Sequence, residues 1–231
     1  MNPLLSIKNL TVAVGTKEIV HNVSFDVPQG KIVAVAGASG SGKTTIGLSI
    51  LRLLPSALSI TQGSIVFEGQ DLLGFSCERM RQCRGARMGM VFQEPLSAFD
   101  PLFTVGAQCD EVLCAHTKLS KQERYKKVLD ALTEAGLSDP KQAYKSFPHQ
   151  LSGGMRQRAM VAQAMACGPS LIIADEPTSS LDIILQVKIM GLFSRLRKKN
   201  ISILLISHDL EMISHLADET ILLRQTVEAF Q

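Results

Sequence analysis

The chain has 231 residues, 45% hydrophobic and 19% charged, with a mean hydropathy of +0.16, enough for one sizeable α/β core with a sheet buried on both faces. Its 24 basic and 21 acidic residues leave a net charge of only +3, a weak mixed field that gives nucleic-acid binding no support. No apolar run approaches the ~18 residues that cross a bilayer and no charged start leads into a long apolar stretch; the five cysteines contain no CxxC pair and read as reduced thiols, so secreted, disulfide-framed and membrane-spanning classes are excluded.

Two β-rich runs, 4–14 and 20–27, come first with no helix between them, and predict an antiparallel β lobe. The next strand candidate, 32–36, runs directly into GASGSGKT: Gly37, Ala38, Ser39, Gly40, Ser41, Gly42, Lys43 and Thr44, followed by Thr45 and an apolar helix reaching about residue 54. Strand, glycine-rich loop and helix in this order form a P-loop. The glycines permit tight turns, so that successive N–H groups and the helix N-terminus converge on phosphate oxygens. Lys43 is placed to reach the β and γ phosphates of a nucleotide, and the Thr44 hydroxyl to ligate Mg²⁺.

Strand candidates 65–67 and 88–92 follow, and between 104 and 168 the pattern is almost entirely helical. One helix there opens at Ser120 with Glu123 three residues on, a capping box, and stops near Gly136. Cys109 and His116 could share a helix face, but Cys114 lies well off it and no fourth ligand is apparent, which argues against a metal site. In LSGGMRQRAMVAQAMA, Ser152, Gly153 and Gly154 open a further helix and leave a hydroxyl and N–H groups for an anion. Strand 171–174 then ends in Asp175 and Glu176. Where such a strand lies beside the P-loop strand, its terminal Asp sits near the metal and holds it through water, and the following Glu orients or deprotonates the attacking water. Alone the acidic pair reads as a helix cap or a solvated turn; the upstream P-loop is what favours the catalytic reading. Strands 201–206 and 220–223 complete the alternation, and no repeat, linker or low-complexity segment is present.

Taken together, GASGSGKT, LSGGM, ADEP, the SSLD segment from Ser179 to Asp182 and ISHD around His208 resemble, in order and spacing over essentially the whole chain, the ATPase of ABC transporters. The resemblance implies an α/β fold: a P-loop NTPase core of the RecA-like kind with a mostly parallel sheet, an antiparallel β lobe, and a helical lobe at about 95–168 inserted in a single domain spanning 1–231. It implies a catalytic set of Glu176, His208 and Gln93. Gln93 would join Thr44 and Asp175 at Mg²⁺ and touch the membrane partner, His208 would contact the γ-phosphate, and Asp182 would lie at the dimer seam. Ser152, Gly153 and Gly154 would close over ATP held by the opposite subunit. The implied partners are a second ABC ATPase subunit, identical or paralogous, two membrane permeases and, indirectly, an extracytoplasmic solute-binding protein. The implied place is the cytoplasmic face of the inner or plasma membrane, with no nucleic acid bound.

Within the family, FQEPLSAFDP and FPHQLSGGMRQR resemble the subgroup that imports oligopeptides, dipeptides and nickel, and GSGKTTIGLSILRLLP followed by SITQGSIVFEG resembles its nickel and metallophore importers. Peptide, nickel and metal-chelate cargo therefore rank together. Two departures stand out: Val14 occupies the position where the family usually stacks an aromatic on adenine, and the chain ends through RQTVEAFQ with a shortened terminal hairpin, which argues against a C-terminal regulatory element. A chromosome-type ATPase would need a long coiled-coil insertion between the P-loop and LSGG, and a translation factor two cassettes. A kinase or GTPase on the same core leaves LSGGM unexplained, and no NKxD segment is present.

Overall fold

The computed structural model describes residues 2–179 and 181–223. In chain order, β1 (Leu5–Val14), β2 (Lys17–Val27), β3 (Ile32–Ala36), α1 (Lys43–Leu51), β4 (Leu58–Phe67) and β5 (Gln70–Asp71) lead to α2 (Cys77–Cys83) and β6 (Met88–Val91). Then come α3 (Pro95–Ala98), α4 (Val105–His116), α5 (Lys121–Glu134), α6 (Pro140–Lys145) and α7 (Gly153–Met165). The chain returns to the sheet with β7 (Leu171–Asp175), α8 (Ile183–Lys198), β8 (Ser202–Ser207), α9 (Leu210–Leu216) and β9 (Glu219–Leu222).

The strands form two sheets. One is antiparallel, in the order β2-β1-β4-β5; the other runs β6-β7-β8-β3-β9 with every pairing parallel. Alternation along the parallel strands sorts their side chains between two cores, because successive residues point to opposite faces. Ile32, Ala34, Ala36, Ile172, Ala174, Ile203 and Leu205 join the core that includes α8 and the helical segment, whereas Val33, Val35, Leu171, Ile173, Leu204 and Ile206 join α1 and the antiparallel sheet. Every residue of β3 is fully buried, as a strand covered on both faces requires. Each of Ile32, Val33 and Val35 contributes about 1.5–3 kcal/mol of burial.

Three findings differ from the sequence reading. First, β4 begins at Leu58, well before residue 65. Its first half alternates only briefly, Leu58 and Ile60 packing inward between Ser59 and Thr61, before Gln62, Gly63 and Ser64 break the pattern; it holds its place by pairing with β1, with Gly63 at φ +97 where an added Cβ would lie 2.6 Å from the Lys8 and Asn9 carbonyl oxygens. Second, α1 stops at Leu51 rather than near 54, because Arg52 turns left-handed at φ 51 and Pro55 lies just beyond. Third, the strand ending in Asp175 is not the direct neighbour of the P-loop strand, since β8 lies between β7 and β3. The helix α1 crosses that gap: a Cβ on Gly47 would touch both Ile206 and Ile173, so α1 lies across β8 and β7 at once. Cys109 is a core group on α4, its thiol pushed up to about 12 mainly by burial. The capping box at Ser120 and the helix opening at Ser152 are present as expected. The terminal segment RQTVEAFQ lies outside the described residues, as does Ser180. Among the described residues no helix is long and apolar enough to cross a membrane.

Candidate active site

Because the five-stranded sheet is parallel, the ends of its strands share one edge. Register aligns Ala36 with Ser207, Asp175 with Ile206, and Val91 with Ala174. The residues that follow β3, β6, β7 and β8 are the P-loop, Gln93, Glu176 and His208, so four segments far apart in sequence converge at the carboxyl edge of one sheet. A cavity of about 510 Å³ opens there, lined by Ala38, Ser39, Gly40, Gly42, Lys43, Thr44, Thr45, Gln93, Glu176 and His208, with Ile19 on its wall. That volume suits a nucleotide-sized ligand.

The P-loop is shaped by close approach as well as by turn geometry. Gly42, at φ +87, is the N-cap of α1, and an added Cβ would lie 2.7 Å from the Ile19 carbonyl oxygen; a Cβ on Gly37 would lie 2.8 Å from Ser41 Oγ. The start of α1 has no side-chain cap and no acidic residue in its first turn, which leaves its N–H groups and positive dipole end turned to an anion. Lys43 is 6% exposed, and its ammonium donates to the carbonyls of Gly37 and Ala38, each at 2.8 Å. This folds a strong donor onto the loop itself, in reach of whatever the loop binds.

Asp175 ends β7 at 3% exposure, and its Oδ1 has no partner. Burial pushes its carboxyl above the ordinary aspartate range, against a hydrogen bond with Thr44; the Glu176 charge adds to the rise and Lys43 opposes it. A buried orphan carboxylate oxygen beside a threonine hydroxyl is the oxygen donor set that a hard divalent cation such as Mg²⁺ takes. Glu176 sits in left-handed backbone at φ 45, 8% exposed. Its N–H donates to the Ile206 carbonyl at 2.8 Å, its Oε1 lies 2.8 Å from His208 Nδ1, and Ser207 Oγ lies 3.4 Å from its Oε2. The carboxylate therefore stands over the P-loop cavity, held from the end of β8.

The structure gathers most of the sequence candidates but not all. Gly37, Ser41 and Asp175 lie outside the lining of the cavity, Asp175 reaching it only through its hydrogen bond with Thr44. Val14 does not line it either; it closes the β1–β2 hairpin opposite Lys17, 43% exposed. Ser152, Gly153 and Gly154 also lie outside the cavity. Ser152 caps α7 by accepting from the Met155 N–H at 3.3 Å, Asp182 caps α8 by accepting from Leu185 at 2.9 Å, and Leu185 packs where a Cβ on Gly154 would stand. The two helix starts thus form a separate surface. Two contributors went unread in the sequence: Ile19, whose carbonyl shapes the loop across sheets with no local signal, and Ser207, whose only signal is its place beside His208.

Comparison with known proteins finds relatives over nearly the whole chain. The model of a family described as ABC transporter matches residues 20–179. The dipeptide transport ATP-binding protein DppD of Bacillus subtilis is 43% identical over 94% of this chain and 67% of its own length. The oligopeptide transport ATP-binding protein OppD of the same organism is 39% identical over 93% of this chain and 62% of its own length. The chain therefore spans about two thirds of these relatives. A solved dimeric structure of a bacterial ABC transporter cassette superposes with a TM-score of 0.85 at 28% identity, covering 96% of this chain and 94% of that one. A dimeric post-hydrolysis structure bound to ADP and Pi matches equally well.

Proposed function

The chain belongs to the ABC transporter family and carries its ATPase domain, and on that premise we propose that it hydrolyses ATP to drive import of peptides through separate permeases. The observation that carries the reading is the convergence of the P-loop, Gln93, Glu176 and His208 on one cavity, with Asp175 hydrogen-bonded to Thr44 of its lining. In this reading residues 1–231 act as one unit, with the helical segment at about 95–168 inserted in its core.

Phosphate oxygens of ATP accept from the P-loop N–H groups and from Lys43, which exchanges its bonds to the Gly37 and Ala38 carbonyls for the β and γ phosphates. Thr44, Asp175 and Gln93 would hold Mg²⁺, which neutralises phosphate charge when bound. Glu176, which lines the cavity, takes a proton from the attacking water. His208, its side chain 62% exposed, is free to leave Glu176 for the γ-phosphate. Ser152, Gly153 and Asp182 are exposed, with Gly154 buried against Leu185 between them, on the face that a second ATPase subunit, identical or paralogous, would meet, completing each site from across the seam. The segment after β6 exposes Leu96, Leu102 and Phe103, at 54%, 78% and 56%, and offers apolar surface near Gln93 for a permease at the cytoplasmic face of the membrane.

Peptide cargo is favoured by the names of the similar proteins, dipeptide and oligopeptide transport subunits; nickel and metal chelates, ranked beside peptides on sequence, have no such support. The test is ATP hydrolysis by the chain reconstituted in vesicles with the permeases and solute-binding protein encoded beside it. Stimulation by a dipeptide mixture and not by chelated nickel is expected; the reverse would overturn the cargo, and hydrolysis indifferent to both would overturn coupling.

A further inference from the structure

We propose that Ser207 is a positioning residue that holds the Glu176 carboxylate aimed at the attacking water. The proposal rests on the reading of Glu176 as the hydrolytic base. Ser207 is the last residue of β8 and 1% exposed. Its Oγ accepts from the Asp209 N–H at 3.1 Å, and its single O–H proton is directed at Oε2 of Glu176, 3.4 Å away. Because a hydroxyl has only one proton to give, the backbone bond from Asp209 fixes the oxygen while the proton serves the carboxylate.

A grip of this kind is needed there. Glu176 stands in left-handed backbone at φ 45, outside the strand geometry that would orient its side chain, and a free glutamate would spread over many rotamers. Two consecutive residues at the end of β8 take one carboxylate oxygen each: His208 takes Oε1 at 2.8 Å and Ser207 takes Oε2. Their exposures separate their roles. The His208 side chain is 62% exposed and free to swing to the γ-phosphate, whereas Ser207 is sealed under the sheet edge and stays. Once His208 leaves, the serine hydroxyl is the hold that remains from this strand. The 3.4 Å separation is long for an O–H···O bond, and catalytic hydrogen bonds commonly tighten only when substrate binds.

The experiment is single-turnover hydrolysis and ATP affinity for the full chain and its variants. Ser207→Ala is expected to slow hydrolysis about tenfold, the usual scale for one hydrogen bond to a charged group, with ATP affinity unchanged to within about twofold. Ser207→Thr, which keeps the hydroxyl, should recover most of the rate, and Ser207→Cys, which fills the same space with a weaker donor, should not. In a Glu176→Gln background, itself slowed about a hundredfold or more, adding Ser207→Ala should cost no further rate. If Glu176→Gln is slow but Ser207→Ala hydrolyses at the wild-type rate, or if the two losses simply multiply, the positioning role is overturned and the base assignment stands. If Glu176→Gln itself runs at the wild-type rate, the assignment of the base fails and the proposal fails with it. Should Ser207→Ala not bind ATP, the Cys and Thr pair decides: equal rates in both overturn the role.

Discussion

Asp175 shows how the demands of the site oppose those of the fold at a single residue. Burial raises its carboxyl pKa ahead of the opposing pull of Thr44, so the folded chain holds this proton more tightly than the unfolded chain does. As pH rises past the ordinary aspartate value, the unfolded state loses the proton first; the folded state then binds more protons, and stability falls until the raised folded value is passed. At neutral pH the ionised, half-partnered carboxylate therefore costs the nucleotide-free protein stability. Asp175→Asn, which keeps the shape and removes the charge, should melt later, by about 2–4 °C for each ~1 kcal/mol gained in a chain of this size, while losing Mg²⁺-dependent hydrolysis. A lower melting point for the variant would show that the carboxylate is a net stabiliser. That Glu176 and Lys43 would share one site was legible from their places after a strand and within a P-loop, and both line the cavity. Ser207 was not, because a serine ending a strand carries no pattern until the fold sets it against Glu176.

At the level of elements, two helix starts are built for opposite ends. The first turn of α5 is closed by Ser120 and Glu123, the serine accepting from the Glu123 N–H at 3.4 Å and the glutamate accepting from the Ser120 N–H at 2.7 Å. The start of α1 is left open by Gly42. One arrangement serves stability and the other binding. Ser120→Ala should therefore cost about 1 kcal/mol, seen as a melting point about 2–4 °C lower, with ATP turnover untouched. A loss of turnover without a loss of stability would place α5 in the functional machinery. Both starts could be read from a few adjacent residues, since caps and P-loops are local chemistry. The first half of β4 and the insertion of β8 between β7 and β3 could not: strand partners are chosen by the global arrangement of layers, and the alternation of Leu58, Ser59, Ile60 and Thr61 is too short, before Gln62 and Gly63 break it, to announce the pairing with β1.

Over the whole molecule, the parallel sheet places the P-loop, Gln93, Glu176 and His208 at one edge, while Ser152, Gly153 and Gly154 stand elsewhere, joined to the start of α8 through the contact of Gly154 with Leu185. A motif whose hydroxyl and N–H groups suit a phosphate, yet which lies outside its own chain's phosphate cavity, fits a site completed from a second copy. The shared site is the central claim, and it is tested most directly by measuring hydrolysis for Ser152→Arg and Lys43→Ala subunits, apart and mixed. Ser152→Arg keeps its own P-loop but blocks the closing surface it offers; Lys43→Ala loses its own site but keeps that surface. Each alone should be nearly inactive, and the mixture should regain turnover from the one intact composite site in each mixed pair. Full activity of Ser152→Arg alone, independent of its concentration, would contradict the account and leave a P-loop ATPase that works as a single chain.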